Sequence, residues 1–379
     1  MELSYLQGKI SLDADVNVYL KRWKVPENDF TKSEKVTLRR LLSHTAGTSI
    51  NGFPGYSTLN PTPKITEILK GEKPIANTDS VVVISTPGTE LKYSGGGTTI
   101  VQLLIEDVTG EPFDLWMKKN VLDSLGMFES TFTQPLPSAY TLHAAYGHYS
   151  SGESVKGNWH IYPEMAAAGL WTTARDLAQF MIYVQRALKN ENPTVLNNFY
   201  VKEMISRQKI NGKEIDAGLG FFLNNVGEDL VFTHGGQDEG FISRLYGYAF
   251  RGQGAIIMIN NDSAWGLMDE ITNSIADTYR WPHFNPIERK VTHIDPFGFA
   301  NLVGEYIKDE EIYKITLSNN QLFVDFKKGY GPLRLWSSAK CEFFIQEEDL
   351  TIDFLNCEEK NNQLTITDSK GVKTFFKKK

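Results

Sequence analysis

Leu91-Lys92-Tyr93-Ser94-Gly95-Gly96-Gly97 is the stretch on which the predicted fold depends, because it places a tyrosine in a turn just ahead of a long amphipathic run. In the run that follows, apolar side chains recur at helical spacing, which predicts a helix with one continuous apolar face. Thr98 or Thr99 is expected to cap this helix and Gly110 to end it. Tyr93 is therefore predicted to lie on a loop docked against a buried helix.

A histidine occupies the second stretch of interest, residues 232–241, which reads Phe-Thr-His-Gly-Gly-Gln-Asp-Glu-Gly-Phe. The β-rich residues before His234 predict one strand, and the apolar run from Phe241 predicts another. Gly235 and Gly236 would leave the near edge of this strand pair without side chains. The sequence therefore predicts a strand pair with a bare edge beside the histidine.

The elements around this strand pair indicate the fold class. Thr173 and Asp176 have the spacing of a capping box at the start of a helix. A meander of short strands is predicted from Gly218 to Ile259, a second helix is predicted from Met268 to Tyr279, and a separate short strand at Val81–Ile84. Antiparallel strands bracketed by helices predict an α+β fold in which helices flank an antiparallel sheet.

Four segments come in the order typical of a known enzyme family. They are Leu41-Leu42-Ser43-His44-Thr45-Ala46-Gly47, Tyr93-Ser94-Gly95 before a helix, Gly169-Leu170-Trp171-Thr172-Thr173-Ala174-Arg175-Asp176-Leu177, and His234-Gly235-Gly236 on a strand. In this order the chain resembles the serine β-lactamase-like hydrolases, in the branch that holds class C β-lactamases, D-Ala-D-Ala carboxypeptidases, D-aminopeptidases and esterases. The resemblance covers residues 1–285.

The resemblance implies a role for each residue of the two stretches. Tyr93 would relay a proton between the nucleophile and the leaving group, its phenol made more acidic by a neighbouring cation. His234 would polarise Tyr93 and steer a substrate carboxylate, and the backbone N–H of Gln237 would belong to the oxyanion hole. The residues expected to lie against the substrate are Ser94, Gly95, Gly235 and Gly236. Gly95 stands where the family usually has asparagine, which weakens the case for β-lactam or D-Ala-D-Ala specificity.

The family's nucleophile is the serine of a Ser-x-x-Lys motif, on a helix that ends in a Gly-Lys-(Leu/Ile)-Ser-Leu-Asp turn. That turn is Gly8–Asp13 here, and counting back about five helical turns puts the expected serine before Met1. Two other Ser-x-x-Lys strings, Ser206–Lys209 and Ser337–Lys340, follow Tyr93 and are interpreted as chance matches. The chain as given is therefore expected to be catalytically impaired.

Three hypotheses about function are open at this point. The first is a serine hydrolase that acts on peptide, β-lactam or ester carbonyls, with its nucleophile encoded upstream of this chain. The second is a non-catalytic homologue that binds peptide-like or cell-wall ligands in the surviving cleft. The third is a degenerate fragment with little function, whose missing core elements leave apolar surface exposed.

A chain of 379 residues is too long for one hydrophobic core, which predicts two domains, residues 1–285 and 286–379. The boundary is expected at Trp281–Pro286, where two prolines interrupt any periodicity. Beyond it, about eight short alternating runs without a helix predict a closed up-and-down β-barrel. Relatives often carry a lipocalin-like domain at this position.

Composition excludes several kinds of partner. The net charge of −7, without a basic cluster, argues against nucleic acid and anionic membrane surfaces. No apolar run reaches the length of a membrane span. Three histidines, His143, His148 and His160, fall in a predicted loop without the spacing of a zinc site. The sequence therefore predicts no metal and no cofactor, and a small-molecule or peptide substrate.

The two cysteines, Cys341 and Cys357, both lie in the second predicted domain. They could be neighbours across a β-sheet, but two free thiols are the favoured interpretation. Cysteine therefore does not identify the compartment. Residues 1–5 do not have the pattern of a signal peptide, and since relatives are often exported, a cytoplasmic protein and an exported one that has lost its leader both fit. The sequence makes no prediction about the oligomeric state.

Overall fold

The computed structural model describes residues 9–191, 198–282, 288–292, 296–309, 311–326, 332–346, 350–359, 363–368 and 371–379. The chain divides into two compact units, Met1–Phe284 and Asn285–Lys379. Each unit encloses its own cluster of buried apolar side chains. No helix among the described residues is long and apolar enough to cross a membrane.

The first unit combines helices with a four-stranded antiparallel sheet. Its helices are α1 (Leu38–Leu42), α2 (Ile65–Lys70), α3 (Gly95–Thr109), α4 (Phe113–Met117), α5 (Ser138–Thr141), α6 (Met165–Ala168), α7 (Ala174–Leu188), α8 (Asn198–Met204) and α9 (Trp265–Thr278). Its strands are β1 (Tyr56–Ser57), β2 (His160–Ile161), β3 (Lys209–Ile210), β4 (Lys213–Glu214), β5 (Phe222–Val226), β6 (Asp229–Asp238), β7 (Phe241–Tyr248) and β8 (Gly254–Ile259). The sheet order is β5-β6-β7-β8, and β1–β2 and β3–β4 form separate pairs.

Helices pack on both faces of this sheet, because successive side chains of its strands point alternately into two apolar cores. Phe232 and Leu245 pack with α7 side chains such as Val184. On the other face, Ile242 and Ile257 pack with Met268 of α9, in one of two smaller clusters. The α+β class with helices flanking an antiparallel sheet is therefore confirmed.

The buried helix α3 begins earlier than the sequence predicted. Ser94 is its N-cap, with Oγ accepting the N–H of Gly97 at 2.9 Å, so Thr98 and Thr99 lie inside the helix. The glycines form its first turn because the space beside them is occupied: a Cβ on Gly96 would come within 2.7 Å of the Ser49 carbonyl. Gly110 ends the helix in the left-handed conformation (φ 74°), as expected.

Two other local predictions were wrong in part. Val81–Ile84 is not a strand, since only Val83 forms an isolated bridge, with Thr48. Thr173 does cap α7 by accepting the N–H of Asp176 at 3.1 Å. The Asp176 carboxylate, however, accepts from the Glu129 N–H and the Ser130 hydroxyl instead of returning to the cap. Contacts with a distant segment therefore replaced a local capping box.

The second unit is a closed antiparallel barrel of eight strands preceded by the 3-10 helix Pro296–Leu302. The strands are β9 (Gly304–Lys308), β10 (Glu311–Ser318), β11 (Gln321–Asp325), β12 (Leu333–Ala339), β13 (Glu342–Ile345), β14 (Leu350–Leu355), β15 (Gln363–Thr367) and β16 (Lys373–Lys378), with β16 pairing β9 to close the barrel. The predicted closed barrel is confirmed.

The interpretation of Cys341 and Cys357 as free thiols was wrong, because the structure joins them in a disulfide. Cys341 lies in the turn before β13 and Cys357 follows β14. The pairing of these two strands, together with the hydrogen bond from the Phe354 N–H to the Cys341 carbonyl, brings the two Cα atoms to 5.8 Å. That separation lies within the range a disulfide requires.

Reducing this disulfide should destabilise the barrel by about 3 kcal/mol, because closing a loop of this size restricts the unfolded chain. The measurement is guanidinium chloride unfolding with and without dithiothreitol, in a chain where Trp336 of β12 is kept and the six tryptophans before residue 285 are replaced by phenylalanine, so that fluorescence reports on the barrel. The double variant Cys341→Ser/Cys357→Ser is the control, since reductant should leave its transition unchanged. Two titratable thiols in the protein before reduction would contradict the assignment.

Candidate active site

Four rings form a cluster at the N-terminal end of α3. The Tyr93 ring lies 4.3 Å from that of His44, 6.1 Å from that of Phe222 and 6.3 Å from that of His234, measured between centroids. Phe222 also stacks against His44 at 6.0 Å and lies 5.9 Å from His234, with the two ring planes tilted. The structure therefore brings together Tyr93 and His234, which are remote in sequence.

His44 holds the backbone on both sides of Tyr93. Its carbonyl accepts the N–H of Lys92 at 2.7 Å, and its Nδ1 accepts the N–H of Ser94 at 3.2 Å. The residue follows the end of α1 with φ 55° and is buried. Because Nδ1 accepts, the neutral ring carries its proton on Nε2.

Burial makes the groups of this cluster neutral. It lowers the pKa of His44 to about 4, with His234 adding to the effect. Burial also lowers the pKa of His234, although the Gly235 backbone opposes this, and raises the pKa of Tyr93, with Asp238 adding to the rise. No cation of the described residues lowers the Tyr93 pKa, so the acidic phenol stays a prediction for a site that includes the lysine of the Ser-x-x-Lys motif.

The strand that carries His234 has an open edge. On one side, β5 pairs with β6 only as far as Thr233, opposite Phe222, whereas on the other side β7 pairs with β6 as far as Asp238, opposite Phe241. Along an antiparallel ladder, residue pairs that exchange N–H···O bonds alternate with pairs that do not, and the pair that flanks a two-residue turn is of the first kind. Asp238 and Phe241 form that pair here, so Asp238 points its N–H towards β7 and Gln237 points its N–H away from it. The N–H groups of Gly235 and Gln237 therefore face the edge that β5 leaves uncovered.

The predicted substrate-binding residues fall into two groups. Gly235 and Gly236 are exposed on the open edge of β6. Ser94 is instead buried, and its hydroxyl donates to the Ser49 carbonyl at 2.7 Å while it caps α3. Gly95 is also buried, and a Cβ there would meet the Asn51 carbonyl at 2.9 Å. Ser94 and Gly95 therefore build the start of α3 and do not present side chains to a ligand.

Gln237 offers only its backbone to the open edge. Its side-chain Nε2 donates to the Asp262 carbonyl at 3.0 Å. The two later Ser-x-x-Lys strings lie elsewhere: Ser206 follows α8 and donates to the Lys202 carbonyl at 2.6 Å, and Ser337 belongs to β12 of the second unit. Neither string places a serine among the four rings in the part of the chain that the structure describes.

Sequence reasoning missed three residues at this site: Phe222, Asp238 and Glu164. Alternation along β6 puts Asp238 on the same face as His234, which was a signal available from the sequence. Burial raises the pKa of Asp238 to about 7. Glu164 has 0% exposure, and no other residue in the described part of the chain forms a hydrogen bond with its carboxylate oxygens. Burial raises its pKa to about 7, while its own backbone N–H opposes the rise and the charge of Asp238 adds to it. No local pattern indicated Glu164.

The fold and the site define a class of protein: an α+β unit in which helices flank an antiparallel sheet and a tyrosine at a helix start lies against a histidine on an open-edged strand. The family profile described as Beta-lactamase matches residues 4–276, which is more than half of the 379 residues. The chain belongs to the β-lactamase family.

Individual relatives are distant. Beta-lactamase-like protein 4 of Dictyostelium discoideum is 26% identical over 262 residues, covering 63% of this chain and 44% of that protein. The putative penicillin-binding protein PbpX of Bacillus subtilis (strain 168) is 21% identical over 278 residues, covering 71% of this chain and 60% of that protein. The chain thus spans less than two thirds of the length of either relative.

Solved structures share the fold at low identity. The octameric penicillin-binding protein homologue from Pyrococcus abyssi aligns with a TM-score of 0.60 and 16% identity, covering 100% of this chain and 84% of that one. The D-amino acid amidase from Ochrobactrum anthropi SV3, solved in complex with D-phenylalanine, aligns with a TM-score of 0.54 and 17% identity, covering 74% and 80%. At these identities the likeness concerns the fold.

Replacing His44 should test its hold on Tyr93. His44→Phe keeps an aromatic ring but leaves the Ser94 N–H without its acceptor, which should cost about 1–3 kcal/mol of unfolding free energy. His44→Asn is the matched variant, because asparagine retains an acceptor near Nδ1 and tolerates a positive φ. Urea unfolding measures both, and an asparagine variant as unstable as the phenylalanine variant would argue against the hydrogen bond.

Glu164 should make the stability of the first unit depend on pH. Its pKa rises from 4.5 to about 7 on folding, so the folded chain keeps a proton that the unfolded chain loses. The contribution of Glu164 to the free energy of unfolding is then fully present below about pH 4.5 and is lost as the pH rises towards 7. Glu164→Gln should remove this loss and be more stable than the natural chain at pH 8 by about 2–3 kcal/mol, but equally stable at pH 4. Urea unfolding across this range is the measurement. If the free energies of unfolding of the natural chain and of Glu164→Gln changed in parallel with pH, the carboxyl of Glu164 would not be buried.

Proposed function

We propose that the protein is an acyl hydrolase of the serine β-lactamase type, which attacks peptide, β-lactam or ester carbonyls through an acyl-enzyme. The observation that carries the proposal is the 6.3 Å contact of the Tyr93 and His234 rings beside the uncovered edge of β6. The substrate carbonyl lies against this edge, where the Gln237 N–H stabilises the oxyanion. Tyr93 relays the proton between the nucleophile and the leaving group.

The nucleophile is the component that the described residues do not place in the ring cluster. Ser94, the serine next to Tyr93, has its hydroxyl occupied by the α3 cap and the Ser49 carbonyl. The hydrolase therefore requires the family's Ser-x-x-Lys helix ahead of Lys9. Its lysine would supply the cation that lowers the Tyr93 pKa, against the rise that burial causes. Without that helix, the chain would be catalytically impaired.

The alternative function is a non-catalytic homologue that binds peptide-like or cell-wall ligands. The observation that favours it is the raised pKa of Tyr93, since burial keeps the phenol protonated and no cation of the described residues makes it more acidic. The open edge of β6 can still pair with an extended ligand backbone, because its N–H and C=O groups remain available.

A fluorescent penicillin and a p-nitrophenyl ester test the chain as given. We expect no covalent label and no burst of p-nitrophenol, because the acyl-enzyme needs a serine nucleophile and the described residues place none in the ring cluster. A label on any serine of the chain would overturn catalytic impairment. Stabilisation by a ligand without turnover would support the binding alternative.

A chain extended by its own upstream Ser-x-x-Lys segment, read from the coding sequence, tests the hydrolase itself. Tyr93→Phe should lower kcat/KM for the p-nitrophenyl ester by about 10²–10⁴ through loss of the proton relay. Tyr279→Phe is the matched control, since Tyr279 is 65% exposed at the end of α9. Full activity of Tyr93→Phe, or no reading frame for such a segment, would refute the catalytic proposal.

A further inference from the structure

An aromatic side chain lies at the end of β6 where the edge is open. Phe241 is the cross-strand partner of Asp238, so the two side chains point to the same face of the sheet. His234 points to that face too, because side chains alternate along a strand. Gln237, whose N–H faces the open edge, directly precedes Asp238 in the chain. The Phe241 ring therefore adjoins the position that the proposed function gives to the substrate carbonyl.

Three more rings continue from Phe241. Between centroids, the ring of Trp171 lies 6.2 Å from that of Phe241, and the ring of Trp159 lies 5.3 Å from that of Trp171. The ring of Tyr146 lies a further 6.2 Å from that of Trp159. Tyr146 is 52% exposed, and the other three side chains are partly exposed. These four side chains, called the aromatic row below, offer apolar surface to a ligand next to the candidate site.

The far end of the aromatic row opens into a groove. A cavity of about 420 Å³ is lined there by Thr141, Leu142, Ala144, Tyr146 and His148. This volume lies within the range of small-molecule sites. Because Tyr146 belongs to both, the row and the groove are continuous. Leu142 is 92% exposed, so an apolar group that lay in the groove would remove its side chain from water.

The loop that carries Tyr146 is fixed against the tip of the β6–β7 hairpin. The His148 N–H donates to the carbonyl of Gly240, in the turn between the two strands, at 3.2 Å. A Cβ on Gly147 would come within 2.7 Å of the Phe241 ring, so the loop backbone packs directly on that ring. The two ends of the aromatic row are thus held by the same contacts, and little ordering is needed when a ligand binds.

The polar side chains of the groove already have partners within the protein. The His148 Nδ1 lies 3.2 Å from the Asn260 carbonyl, and its Nε2 lies 3.3 Å from the Ser154 hydroxyl. The Thr141 hydroxyl donates to the Ser138 carbonyl at 2.9 Å. None of the described residues that line the cavity is Asp, Glu, Lys or Arg. A sugar or a charged group would find few partners here, whereas an apolar group needs none.

We propose that the aromatic row and the groove bind an extended apolar acyl chain, so that the site selects esters or amides of long-chain acids. This rests on the proposed function, which puts the reacting carbonyl at the Gln237 N–H. The chain leaves the carbonyl over Phe241, follows the row and ends between Tyr146 and Leu142. A single aromatic group would cover only part of the row, whereas an extended chain contacts all four rings.

Isothermal titration calorimetry of the full chain with butanamide, hexanamide and octanamide tests the proposal without requiring turnover. The affinity should rise about threefold with each added methylene group, because most of each group leaves water. The heat capacity change of binding should become more negative along the series for the same reason.

Two results of this titration would overturn the proposal. The first is an affinity that does not change with chain length, or no binding of octanamide at millimolar concentration. The second is tighter binding of tri-N-acetylchitotriose than of octanamide, which would assign the aromatic row to a carbohydrate.

A substitution at the far end of the aromatic row locates the effect. Tyr146→Ser should weaken octanamide by about tenfold and leave butanamide unchanged, because only the longer chain reaches this ring. A purely structural role would weaken both amides equally. Tyr279→Ser is the matched control, since Tyr279 is 65% exposed at the end of α9. Unchanged affinity of Tyr146→Ser for octanamide, or an equal loss for both amides, would refute the path of the chain.

The two proposals can fail separately. If the amides bind with the expected dependence on chain length, but the chain extended by its Ser-x-x-Lys segment hydrolyses no ester, the groove stands and the hydrolase is rejected. If that extended chain hydrolyses p-nitrophenyl butyrate and p-nitrophenyl octanoate with equal kcat/KM, the hydrolase stands and the groove is rejected.

Discussion

The hold of His44 on the backbone around Tyr93 is the interaction on which the site depends. One residue supplies two acceptors, its carbonyl to Lys92 and its Nδ1 to Ser94, so the main chain is fixed on both sides of the phenol. The next residue, Ser94, caps α3, and α3 lies in the largest core of the first unit. The position of the phenol is thus set by buried main-chain hydrogen bonds. Each of them would be costly to leave unmade.

The ring cluster is neutral, whereas the two carboxyl groups near it have raised pKa values. Burial keeps His44 and His234 uncharged and Tyr93 protonated, so the ring cluster has no charge of its own with which to activate a nucleophile. Asp238 and Glu164 lie nearby, with pKa values of about 7, and lack a cation among the described residues. A more acidic Tyr93 phenol therefore depends on a cation from outside the described residues.

Much of the fold could be predicted because it follows from local periodicity. The amphipathic run after Tyr93, the paired strands around Gly235-Gly236 and the alternating runs of the barrel each contain their own signal. Errors arose where distant residues decided the outcome. The start of α3 moved to Gly95 because the first turn packs against Ser49, and Val81–Ile84 failed as a strand because it pairs only through Val83.

The sequence alone determined the alternation of helices and strands in the first unit and the barrel, because residue type and spacing encode these directly. The resemblance to the family, and not spacing, predicted that a tyrosine meets a histidine. Only the tertiary structure decided which edge of β6 is uncovered, that Ser94 and Gly95 are interior, that Cys341 meets Cys357, and that the Glu164 carboxylate is buried without a hydrogen bond from another described residue. These features depend on burial and on distances between residues far apart in the chain. Those quantities arise when the elements pack, and no local spacing specifies them.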